Sequence, residues 1–253
     1  MHPTSDILKV WKKFDQFPME TLTKAWYYHR TSGPKQRSVE LMREHREQYG
    51  IAGNCFDLAI WLLDEFKREG IQAYLIGHDI DNERAHVGVI AVNDKGQRYL
   101  CDLGDQWLLP ILIDSESEEY TDKPVSGFFP GANVQVKTVG QDIEVYYHRP
   151  NGKVSKQTYS TEPIEMTVFM KAAEACQHLI KGRPLLECRL PYKNETAHWE
   201  FYNWESFLST TEGLFPDSKL DSLEEWVERI HQKTGYDRTF LSEALEVYKK
   251  LSR

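Results

Sequence analysis

The sequence predicts an α+β fold: an N-terminal helical bundle, a central antiparallel sheet with a barrel-like course, and a C-terminal α/β part acting as a lid. Two observations carry this. Apolar residues recur at helical spacing up to Gly70 and again towards the C-terminus, and between these stretches the period changes from 3.6 to 2. Strands and helices also come in separate runs rather than alternating, which excludes a parallel doubly wound sheet. The expected divisions are 1–80 (helical), 81–165 (β) and 166–253 (α/β).

Each element follows in order. Ile7, Leu8, Val10, Trp11 and Phe14 mark a first helix, broken near Pro18, and helical character breaks again at Ser32-Gly33-Pro34. Ser38 opens a further helix through Glu40, Leu41 and Met42. The clearest helix begins at Asn54 or Cys55, carries Phe56, Ala59, Leu62, Leu63 and Phe66 on one face, and is capped by Gly70. Strands are expected at 73–77, 85–92 and 97–103, with Asn93-Asp94-Lys95-Gly96 as a turn, and at 133–139, 143–147 and 156–159, with Pro150-Asn151-Gly152 as another. A helix at 167–181, strands at 185–190 and 196–202, and helices at 222–232 and 238–251 complete the chain. Trp226, Val227 and Ile230 form one stripe expected to pack on the core, with a second subunit as the alternative.

Composition narrows the function. Of 253 residues, 31 are basic and 39 acidic, and the net charge of −8 argues against a nucleic-acid binder, which needs a positive face. No apolar run approaches a membrane span, and the first 25 residues carry Asp6, Lys9, Lys12, Lys13 and Lys24 without the apolar core of a signal peptide. Cys55, Cys101, Cys176 and Cys188 are scattered with no CxxC, as expected for reduced thiols of a cytoplasmic protein. No glycine-rich phosphate loop and no HExxH occur. No metal is expected: His78, Asp79 and Asp81 read as a polar loop.

The informative residues are Gly53-Asn54-Cys55-Phe56-Asp57, Ala85-His86-Val87 and Cys101-Asp102-Leu103-Gly104. Cys55 heads the best helix, where unpaired N–H groups and the helix dipole favour a thiolate, and the same N–H groups can hold an oxyanion. Gly53 leaves room for a substrate carbonyl. A thiolate needs a base, and the base an orienting partner. If Gly96 is the left-handed residue of a three-residue loop, Asn93 pairs with Gln97 and Asp102 lies opposite Gly88, with His86 its diagonal neighbour, about 7–8 Å away at the backbone. A two-residue loop would put His86 and Asp102 on opposite faces; Gly96 favours the first form. An aspartate inside an apolar strand is costly unless it has such a partner. In either register Cys101 points away from Asp102, into the core.

GNCFDLAIWLLDEFKREGIQAYLI, AHVGVIAV and RYLCDLG together resemble the transglutaminase-like superfamily, with its papain-like cysteine fold, whose members use a Cys-His-Asp triad in this order. Within it the chain is most similar to arylamine N-acetyltransferases. Cys55 matches the head of the family's CFE-type helix, His86 its strand histidine, and Asp102-Leu103-Gly104 its D-x-G segment. Phe17-Pro18-Met19-Glu20-Thr21-Leu22 echoes its PFENL segment. Two departures stand out: Ile51-Ala52 replace the Arg-Gly of Arg-Gly-Gly-x-Cys, and Asp105 replaces an aromatic residue lining the acceptor pocket.

The resemblance implies a ping-pong transfer in which Cys55, His86 and Asp102 move an acetyl group from acetyl-CoA to an amine acceptor, with no permanently bound cofactor and no membrane partner. Asn54, Phe56, Asp105 and Trp107 would line the substrate site, with Asp105 favouring a cationic or polar acceptor. Oligomeric state stays open. Two alternatives stand beside it: a transglutaminase-like amidase or peptidase, and a binding module on a retired catalytic fold.

Overall fold

In the computed structural model of the protein, which describes residues 1–251, the N-terminal helices end where the sequence places their breakers. α1 (Ser5–Trp11) runs into a 3₁₀ turn at Lys12–Phe14; strand β1 (Met19–Glu20) and α2 (Leu22–Tyr28) follow Pro18. α3 (Val39–Tyr49) starts at Ser38, whose hydroxyl accepts from the Leu41 N–H at 3.3 Å. α4 (Cys55–Arg68) is framed by a capping box: the Asn54 side chain accepts from the N–H groups of Phe56 and Asp57, and Asp57 accepts from the Asn54 N–H. Lys67 and Arg68 in its last turn complement the helix dipole.

The strands form two antiparallel sheets. β2 (Gln72–His78), β3 (His86–Val92), β4 (Arg98–Cys101), β5 (Ile111–Leu112), β6 (Val125–Phe129), β7 (Ala132–Val139), β8 (Asp142–His148) and β9 (Val154–Ser160) make a barrel-like sheet ordered β5-β4-β3-β2-β9-β8-β7-β6. After α5 (Met166–His178), strands β10 (Leu185–Tyr192), β11 (Glu195–Tyr202), β12 (Glu205–Thr210) and β13 (Gly213–Pro216) form the second, with β1 added at the edge of β10. α6 (Leu223–Thr234) and α7 (Arg238–Leu251) close the chain. The α+β expectation holds. None of the described helices is long and apolar enough to cross a membrane.

Two apolar cores result. One lies between α1, α3, α4 and the larger sheet and includes Trp11, Phe56, Leu62, Val89 and Trp107; the other joins α2, α6, α7 and the smaller sheet through Trp199, Trp226, Phe240 and Leu245. Each such fully buried side chain contributes about 1.5–3 kcal/mol. Trp226, Val227 and Ile230 are in this second core, as expected of their stripe.

Candidate active site

Cys55 is the first residue of α4, His86 the first of β3, and Asp102 follows the last residue of β4. The β3–β4 hairpin places the last two. Gly96 is left-handed (φ +79°), the Asn93 N–H donates to the Gln97 carbonyl at 3.0 Å, and Val89 pairs with Cys101. This is the register in which Asp102 lies beside Gly88 and on the face of His86. Imidazole Nε2 is 2.7 Å from Asp102 Oδ2, hydrogen-bonding distance.

Asp102 is fully buried and every polar atom of its side chain is used. The Tyr159 hydroxyl donates to Oδ2 at 2.5 Å and the Asp105 N–H to Oδ1 at 3.0 Å. Burial alone would raise its pKa; the His86 cation and these donors outweigh it and hold the carboxyl below its usual value. Burial likewise opposes the His86 cation, but Asp102 and Asp105 hold it well above 6.5, and the Cys55 side chain is near enough to add to the effect. With Nε2 on Asp102, ring nitrogen Nδ1 remains for the thiol.

Gly104 shows how tightly the three side chains meet. A Cβ there would stand 2.8 Å from Cys55 Cβ, 3.0 Å from His86 Cε1 and 3.1 Å from Asp102 Oδ1, so only glycine fits. The N–H of Cys55 has no hydrogen-bond acceptor among the described residues and is available to an oxyanion. His86, Asp102 and Asp105 also bring ligand-type atoms within 4.8 Å of one another. The Nε2–Oδ2 distance of 2.7 Å is that of a hydrogen bond, tighter than the about 3.3 Å between two ligands on one tetrahedral ion.

The remaining expected site residues have protein partners. Asn54 caps α4 and its amide donates to Gln177 Oε1 at 3.1 Å. Phe56 is fully buried against Phe169, with ring centroids 5.1 Å apart. Trp107 is fully buried against Phe129 and Tyr147. Asp105 keeps a quarter of its side chain exposed, with Oδ1 3.8 Å from His86 Nε2 and Oδ2 accepting from the Tyr147 hydroxyl at 2.7 Å.

Other residues join from afar. His78 pairs with His86 across β2 and β3, its ring centroid 5.8 Å away; burial, then the neighbouring imidazolium, lower its pKa and keep it neutral. Behind Asn54, the buried Arg37 donates to the Ala52 carbonyl at 2.5 Å and lies 3.4 Å from Asp57 Oδ2. Gln36 donates to Asp57 Oδ1 at 2.9 Å. Nothing in the sequence marks Arg37, Tyr147 or Tyr159, because their partners Ala52, Asp105 and Asp102 lie 15, 42 and 57 residues away.

No protein-family model matches the sequence, and no curated protein does. Solved structures do. The chain superposes over its whole length on the Mycobacterium smegmatis arylamine N-acetyltransferase, with a TM-score of 0.72 over 95% of that chain at 14% identity. The Mycobacterium marinum enzyme in complex with CoA gives 0.72, with 98% and 94% coverage at 12% identity. The Salmonella typhimurium enzyme gives 0.67, with 98% and 100% coverage at 11% identity. The fold is that of the arylamine N-acetyltransferases. On this arylamine N-acetyltransferase fold the Arg37 guanidinium reaches the Ala52 carbonyl from the loop before α3.

Proposed function

We propose that the protein is a cysteine acyltransferase that carries an acetyl group from acetyl-CoA to a small amine. The convergence of Cys55, His86 and the buried Asp102 on Gly104 supports this above all. The CoA complex of the Mycobacterium marinum enzyme on the same fold supports a CoA thioester as donor.

In this reading His86 holds the Cys55 proton and the thiolate attacks the thioester carbonyl carbon. The oxyanion so formed accepts from the free Cys55 N–H. The carbon–sulfur bond to CoA breaks, CoA leaves as a thiol with the proton from His86, and acetyl-cysteine remains. An amine then attacks the acetyl carbon, gives a proton to His86, and the Cys55 thiolate is expelled. Asp102 keeps the imidazole in one tautomer and steadies its charge through both halves.

Intact mass after mixing with acetyl-CoA tests the reading. One acetyl group should appear on Cys55, disappear when an amine is added, and be absent from Cys55→Ala. Failure with several acyl-CoA donors, together with cleavage of a glutamine or peptide amide, would replace it with an amidase.

A further inference from the structure

We propose that Asp105 is a second acid on the imidazole of His86, a positioning residue for the Cys55–His86 pair rather than a contact for the acceptor. The proposal rests on the triad reading above. Its basis is where the carboxylate points. Oδ1 is 3.8 Å from Nε2, the same ring nitrogen that Asp102 engages, which leaves Nδ1 for the thiol. Oδ2 is held by the Tyr147 hydroxyl at 2.7 Å, and the Asp105 N–H is tied to Asp102 Oδ1 at 3.0 Å. Tyr147 thus comes from β8, His86 from β3, and the two acids sit in one turn three residues apart. Both carboxylates face the imidazole at Nε2. A negative charge there favours imidazolium and, with it, the thiolate.

The groups facing Asp105 set when it acts. Burial and then the charge of Asp102 raise its carboxyl to about 6; His86 and the Tyr147 hydrogen bond oppose this, and Glu187 on β10 adds to it. Tyr159 on β9 faces the same cluster, and its hydroxyl is held protonated by burial and these carboxylates. Above that pH the imidazolium therefore has two anionic partners, and below it only Asp102.

Alkylation of Cys55 by iodoacetamide needs no substrate and reads the thiolate directly. The wild-type rate should step up near pH 6 beyond the ordinary rise of a thiol. Asp105→Asn should lose that step and react about tenfold more slowly at neutral pH, the effect of one pKa unit. Tyr147→Phe keeps the carboxylate but loses its donor, and should move the step to higher pH. In acetyl transfer, Asp105→Asn should slow acetylation of Cys55 and leave the KM for the amine unchanged. If the Asp105→Asn alkylation profile superimposes on wild type, or only the amine KM changes, Asp105 serves the acceptor and the proposal falls. If His86→Ala alkylates as fast as wild type, the triad reading itself falls, and the proposal with it.

Discussion

Four cysteines share the chain, and burial separates them. Cys101 is fully buried, which raises its pKa strongly; burial likewise takes Cys188 up to about 12 and Cys176 up to about 11. Cys55 alone stands at a helix N-terminus beside a charged imidazole. A limiting dose of iodoacetamide at about neutral pH should therefore label Cys55 alone in the native protein, and all four thiols in urea. Peptide mapping checks this, and equal labelling of Cys176 would contradict it. At this scale Cys55, His86 and Asp102 were legible, because a helix start and one hairpin turn suffice to place them. Tyr159 was not: β9 meets β2 through a single residue pair, Gly77 with Ser160, and no local signal sets that junction. Arg37 was hidden for the same reason, since its partners Ala52 and Asp57 become neighbours only when α3 and α4 pack.

The start of α4 shows how an element carries chemistry. Asn54 stabilises the helix through two N–H groups and reaches α5 through Gln177, while the N–H of Cys55 stays free between them. Asn54→Ala should cost about 1 kcal/mol of stability for the cap alone. It should also lower the acetylation rate more than the amine KM, because the lost contacts position Cys55. Urea denaturation and single-turnover kinetics measure the two effects separately; an unchanged rate would mean that Asp57 and Arg37 hold the turn unaided. Elements of this kind are readable when their determinants are local, as the caps at Ser38, Asn54 and Ser222 and the Asn93–Gly96 turn show. The strands β1, β5, β6, β12 and β13 were not. β1 and β5 have two residues each and β13 four, too few to display a period of two, and β1 exists because β10 offers it an edge.

Across the whole molecule, distant parts of the chain meet behind Cys55. The Glu20 N–H donates to the Gly53 carbonyl at 2.9 Å, the Ala52 N–H to the Tyr236 hydroxyl at 3.0 Å, and the Asp237 N–H to the Tyr49 carbonyl at 2.9 Å. Residues 49–53 are thus held by β1 on one side and by the α6–α7 connection on the other. Glu20 sits in this junction fully buried, accepting from the N–H and hydroxyl of Thr23. Burial raises its carboxyl from 4.5 to about 6, with the Thr23 hydrogen bonds and Arg37 opposing. The folded protein therefore binds this proton more tightly than the unfolded chain does. The stability it brings is fully present below pH 4.5 and is lost as pH rises through about 6. That interval corresponds to about 2 kcal/mol. Glu20→Gln cannot ionise and lacks this dependence. Whatever the substitution costs at acid pH, the stability of wild type relative to Glu20→Gln should fall by about 2 kcal/mol between about pH 4 and about pH 7. Urea titrations of both proteins at the two pH values measure it. A difference independent of pH would mean that Glu20 ionises in the fold as it does in the open chain, and that the junction behind Cys55 admits water.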